Sequence, residues 1–250
     1  MRGLLAFGRF EVGRLLRSWR FLVITVGFPV VFYMLFLGDR RKSEVIGGTV
    51  EWRVYLMVSM CSFGALVAGL TAAGGRLSSE RSSGWARQLR VTPLPAWSYV
   101  ATKVAATMIV ILPVEVLVEV VGAAFGAVDL PGGTWVEMAV VMWVAALPFA
   151  VLGVLIGFSV SAETAFPVVT ALMFVLGYFG GLFNPVSSMP GALRAVARVL
   201  PSYNHAALGL GLVQGRIPQA QHWLILGAYA VALSGAVLLR HRREESRGLA

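Results

Sequence analysis

Six apolar stretches separated by short polar ones leave this chain little choice of fold. They run over 21–37, 54–75, 100–127, 135–158, 165–183 and 223–239. At about 1.5 Å of rise per residue, about 20 helical residues cross a hydrocarbon core of about 30 Å. Each stretch therefore reads as a transmembrane helix, the first and last short enough to lean on flanking Trp and Arg at the interface. Composition agrees: 58% of the 250 residues are hydrophobic and 13% charged, against about half and about a quarter in soluble domains. The expected fold class is an all-α membrane protein. The one cysteine, Cys61, lies inside an apolar stretch, which excludes an intramolecular disulfide and a cysteine metal cluster.

Two regions depart from simple spanning. Residues 1–20 carry five arginines and no spanning run. On a helix Leu4, Leu5, Val12, Leu15, Leu16 and Trp19 share one side and Arg2, Arg9, Arg17 and Arg20 take the other, with Phe7 and Phe10 outside the stripe. That predicts an uncleaved amphipathic helix in the membrane interface. The first apolar run ends in GDRRK and offers no small-residue cleavage site. Residues 184–221 are apolar in patches and broken by Pro185, Pro190, Pro201 and Pro218. A re-entrant or surface-lying pair of short helices suits them, because non-helical backbone at membrane depth needs protein or water to satisfy it.

Charge sets the orientation. With both termini inside, fourteen Lys and Arg fall on the cytoplasmic side and seven outside, where Asp39 and Glu44 offset the cluster Arg40–Lys42. The net charge of +9 then faces anionic headgroups, and nucleic acid is not needed to explain it.

Between the second and third spans lies RLSSERSSGWARQLRVTPLPAWSY, residues 76–99. Glu80, Arg81, Arg87 and Arg90 supply charge, while Trp85 and Leu89, four apart, share a helix face. Pro93 stops any helix near residues 91–92. This describes a short surface helix offered to a soluble partner. The alternative is an ordinary basic loop, which composition alone favours.

Glu115 and Glu119 lie mid-span in the third stretch, four apart and so on one face. A charged carboxyl in hydrocarbon is costly, so each must face protein or water, or be protonated. They line a substrate path or a proton relay, or they are protonated acids bonding a neighbouring helix or subunit; the two readings stand level. Pro113 loosens the same helix. Gly122 with Gly126, Gly153 with Gly157, and Gly177 with Gly181 predict close helix approach. Glu163, in a short turn expected on the cytoplasmic side, reads as capping the fifth helix or contacting a cytoplasmic partner, with capping favoured. His205, His222 and His241 show no metal-ligand spacing and read as interfacial. No GxxxxGK[ST], HExxH or GxSxG motif occurs, so an enzyme acting alone is not expected and any ATP hydrolysis belongs to another chain.

Three segments carry a family resemblance. SSERSSGWARQLRVTPL is similar to a segment of the form ER-x-x-G-(x)-LR-x-x-P. GGLFNPVSSMPGALRAVARVLPSY is similar to a proline-punctuated G-x-x-x-P-x-x-x-x-P-x-x-L-R region between the last two spans. The amphipathic N-terminal helix is the third. With six spans, the whole chain resembles the membrane subunit of the type-2 ATP-binding cassette (ABC) permeases of bacterial exporters. The resemblance implies that Glu80, Arg81, Gly84, Leu89, Arg90 and Pro93 form a coupling helix, with Trp85 beside them, that docks on a cytoplasmic ABC ATPase. It implies that Pro185, Pro190, Leu193, Arg194 and Pro201 form an external re-entrant region closing the pathway. It further implies a second membrane subunit, identical or related, in a bacterial plasma membrane. ATP and Mg would be held by the ATPase, with no cofactor in this chain. The substrate expected is hydrophobic or amphipathic, a drug, antibiotic or lipid-like molecule. Two other readings remain: a proton-coupled secondary transporter using Glu115 and Glu119, against which no inverted repeat is visible, and a non-transporting anchor or sensor, against which the mid-span acids count.

Overall fold

The computed structural model describes residues 19–38, 45–46, 50–82 and 96–246, with Gly13. The expected interface helix, apart from Gly13, Trp19 and Arg20, and the residues Gly84, Trp85, Leu89, Arg90 and Pro93 lie outside the described residues. The first apolar stretch forms α1 (Trp19–Leu37), followed by a small antiparallel hairpin of β1 (Val45–Ile46) and β2 (Val50–Glu51), with Val45 opposite Glu51. α2 (Trp52–Leu70) comes next, and the apolar windows of α1 and α2 are followed by the rest of a helical bundle. Among the described residues five helical stretches are long and apolar enough to cross a membrane: Trp52–Ser82, Tyr99–Phe125, Gly132–Ser159, Ala162–Phe179 and Ala220–His241. Within α1, Thr25–Leu37 counts as a shorter apolar helix.

α2 is the axis of the bundle. Every residue from Tyr55 to Leu70 is buried, as befits a helix apolar on all sides. Around it pack α1, α4 (Ala96–Phe125), α6 (Leu147–Ser159), α7 (Ala162–Phe179) and α9 (Pro201–Val213). Phe28 and Phe32 of α1 meet Phe63 of α2, which packs edge-on against Phe183 with ring centres 4.9 Å apart. α6 comes closest: a Cβ on Gly153 would run into the carbonyl oxygen of Gly69. Small residues permit such backbone contact where lipid supplies no hydrophobic drive. The outer helices α7 and α10 (Ala220–Ser246) turn Phe166, Tyr178, Leu224 and Val231 outward.

Several boundaries differ from the sequence reading. The second span was expected to stop at Gly75. Instead the helix passes through a π-turn (Thr71–Gly75) into α3 (Arg76–Ser82). Polar side chains do not end a helix, and the hydroxyls of Ser78 and Ser79 donate to Gly75 O at 2.9 and 3.0 Å. α4 runs through Pro113 unbroken. The fourth span is two helices, α5 (Gly132–Ala145) and α6, meeting at Ala146, where Pro148 removes a backbone donor. The cap of α7 is Ser161, whose hydroxyl accepts from Thr164 N–H at 3.4 Å. Glu163 is not the cap; it sits exposed in the first turn, where a negative charge suits the helix dipole. Residues 184–221 hold a 3-10 turn (Val186–Ser188), α8 (Gly191–Val199) and α9, with Pro190 preceding α8 and Pro201 opening α9.

Replacing Gly153 with Leu is expected to lower the thermal unfolding midpoint of the solubilised protein, because overpacking a tight contact costs about 1–3 kcal/mol or more. Gly227→Ala, with open space around it, leaves the midpoint unchanged or raised.

Candidate functional site

One face of α4 is pressed against α2, and the four-residue spacing puts both acids on it. Val116, Leu117 and Val120 point outward, while Glu115 is fully buried and Glu119 is 5% exposed. Neither oxygen of the Glu115 carboxyl has a hydrogen bond among the described residues, nor has Oε1 of Glu119. The group facing Glu115 is His205 of α9, with Nε2 3.5 Å from Oε1: ion-pair reach without hydrogen-bond alignment. His205 was expected at the interface, yet it is fully buried. Its ring bridges two further helices. Nε2 lies 2.9 Å from Met142 O of α5, and since a carbonyl only accepts, this nitrogen carries a hydrogen. Nδ1 lies 2.9 Å from Ser62 Oγ of α2, and the same hydroxyl reaches Val58 O at 3.1 Å.

The Ser62 hydroxyl follows the charge of the ring. A neutral imidazole, with its hydrogen on Nε2, accepts the Ser62 hydrogen at Nδ1. A cation facing Glu115 needs one further proton, taken up at Nδ1, and the Ser62 hydroxyl then accepts from Nδ1 and donates to Val58 O. Four helices, α2, α4, α5 and α9, meet at this polar point. Chemically it can hold a proton, or tie the short helix α9 to the core.

A second polar cluster sits where α3 ends. Glu80 turns inward, 6% exposed. Lys103 of α4 donates to its Oε1 at 2.9 Å and approaches Oε2 at 2.7 Å, and Tyr99 donates to Oε2 at 3.0 Å. Arg81 donates to Gly157 O near the end of α6 at 2.9 Å, with its guanidinium 5.9 Å from the Phe158 ring centre. Arg240 of α10 reaches Ser159 O at 3.3 Å. The carboxyl-terminal turn of a helix exposes carbonyls that attract such cations. Between this cluster and the body of α2 lies the π-turn, an irregularity frequent at functional positions.

These features sit in a chain whose residues 48–239, from just before β2 into α10, match the family described as ABC-2 family transporter protein. The chain belongs to that family. A protein of Bacillus subtilis (strain 168) named "Putative transport permease YvfS" is 29% identical over 223 residues, covering 88% of this chain and 89% of that protein. As an ABC-2 transporter the chain is a multi-pass membrane protein and a transport subunit rather than a catalytic enzyme.

The remaining positions of interest in this ABC-2 transporter lie near the other ends of the spans. Pro185 is buried ahead of the 3-10 turn, and Arg194 of α8 donates to Ser187 O and Met189 O at 2.9 and 3.1 Å, bracing that turn. Leu193 is half-buried and Pro201 buried. Tyr55 of α2 donates to the carbonyl of Gly181, whose φ of +79° is one a side chain would strain. Sequence reasoning passed over Lys103, Tyr99 and Ser62. For Lys103 a signal existed: a lysine inside an apolar stretch needs a partner. For Tyr99 and Ser62 none did, since a hydroxyl reveals nothing of its partner.

His205→Ala removes two buried side-chain hydrogen bonds, although Met142 O keeps the Ala146 N–H and Ser62 Oγ keeps Val58 O. At about 0.5–1.5 kcal/mol for each bond lost, with the cavity left by the ring added, the unfolding midpoint should fall. His205→Gln retains a donor and an acceptor and should recover part of the loss.

Proposed function

We propose that this chain is the membrane-spanning half of an ATP-driven exporter, with six spans counting α1 and both termini in the cytoplasm. A separate ABC ATPase would carry ATP and Mg, and a second copy or a related subunit would complete the pathway in a bacterial plasma membrane. The observation that carries the reading is the unbroken course of α2 through the π-turn into α3. It joins the buried axis of an ABC-2 transporter to the polar segment 76–99. A packed helix moves as a body, so a push on that segment reaches the core. Gly84, Trp85, Leu89, Arg90 and Pro93 are assigned the docking contact, with Glu80 and Arg81 at its base. The substrate assigned is a hydrophobic or amphipathic drug, antibiotic or lipid-like molecule, moved outward by alternating access; membership of the family supports this, and no single side chain does.

Affinity purification of the tagged chain from native membranes tests the partner. An ATPase is expected with the wild type and not with Gly84→Trp; purification without any ATPase, from membranes that still transport, overturns the reading. Transport in vesicles should stop on ATP depletion and survive collapse of the proton gradient.

A second reading, proton coupling through Glu115 and Glu119, is favoured by the unbonded carboxyl oxygens beside His205. It predicts the reverse sensitivity, with transport lost in Glu115→Gln. If the acids are structural, Gln offers similar hydrogen bonds and activity is retained.

A further inference from the structure

We propose that Lys103 and Tyr99 are positioning residues that latch the end of α3 to the start of α4 through Glu80, so that a push arriving at α3 is delivered to α2 and α4 together. The proposal rests on the coupling role assigned above and specifies how that role is performed.

Four observations carry it. Lys103 is 3% exposed, although a lysine one turn from the start of a spanning helix can ordinarily extend its ammonium to the interface. Here it is turned inward onto Glu80, a buried pair that is costly to break from one side. The two partners stand on either side of residues 83–95: Glu80 three residues before residue 83, Tyr99 and Lys103 shortly after residue 95. Their contact therefore ties the end of α3 to the start of α4. Tyr99 adds a hydrogen bond to the same carboxylate and offers its ring to the ammonium, 5.4 Å from the ring centre. Finally, Arg81, adjacent to Glu80, binds Gly157 O of α6, so the last turn of α3 is held from a second side.

The arrangement has a mechanical consequence. Without the latch, a force arriving at α3 would pass through the π-turn into α2, and α4 would receive it only second-hand. With the latch the force also enters the amino-terminal turn of α4, the helix carrying Glu115 and Glu119. Tyr99 serves the two charges differently, the carboxylate through its hydroxyl and the ammonium through its ring, so exchanging them restores the ion pair and loses the ring contact.

The test uses the full chain with its co-purified ATPase, comparing Lys103→Met, Tyr99→Phe and the exchange Glu80→Lys with Lys103→Glu. Two quantities are read well below the unfolding temperature: substrate moved per ATP hydrolysed, and the rate at which trypsin cuts after Arg87 and Arg90 in inside-out vesicles. Lys103→Met is expected to keep ATP hydrolysis while the transport ratio falls about tenfold, within the usual range of coupling between sites, and to be cut faster. The exchange should restore both readings in part, and Tyr99→Phe should fall between wild type and Lys103→Met. A wild-type ratio and cutting rate in Lys103→Met overturn the proposal. Should Lys103→Met fail to reach the membrane, Tyr99→Phe decides by the same two readings. Should no ATPase accompany the wild type, the exporter reading falls, and the trypsin comparison alone decides the latch.

Discussion

Inside a bilayer no water waits to solvate a stranded polar group, and α2 sits where not even lipid reaches it. Its neighbours must supply both its packing and its polar partners. The fit is correspondingly close: Gly69 lies against Gly153 backbone to backbone, and Phe63 is gripped by rings from α1 and by Phe183. Association of this kind relies on dispersion and shape, with little help from the hydrophobic effect. Displacing α2 therefore disturbs all the helices around it at once.

Charge is admitted to this interior at two levels, and at each it joins separate helices. Near the middle, Glu115 of α4 faces His205 of α9, which in turn holds Ser62 of α2 and the Met142 carbonyl of α5. At the end of α3, Glu80 holds Lys103 and Tyr99 while Arg81 holds Gly157 O. The two clusters differ in kind. The lower-lying pair at Glu80 is fully engaged, whereas the carboxyl of Glu115 keeps both oxygens without a hydrogen bond among the described residues. The first suits a fixed strut, the second a group that changes partner or protonation during a cycle.

The amino-acid sequence disclosed the broad plan because hydropathy is a local property. Each apolar stretch coincides with a helix to within a few residues, except that Arg76–Ser82 joined the second, Ala146 divided the fourth and the sixth runs on to Ser246. Glu115 and Glu119 could be placed on one face from spacing alone. What stayed hidden depends on partners distant in the chain. A basic, serine-rich stretch such as 76–82 looks like a loop until the Gly75 carbonyl is seen accepting the hydroxyls of Ser78 and Ser79. Glu80 looks like a surface charge until Lys103, 23 positions on, is seen against it. His205 looks interfacial because short proline-flanked helices usually are; it is buried because α9 wedges between α2, α5 and α10.

The enclosure of α2 also bears on how the chain is made. Helices enter the membrane in order of synthesis, so α2 is made before most of the helices that cover it. α4 and α6 follow, and α9, which covers Ser62 and Val58, emerges among the last. Until then Ser62 has no His205 ring against it and Val58 no Gly209, so the axis of the bundle completes its packing only when α9 is in place.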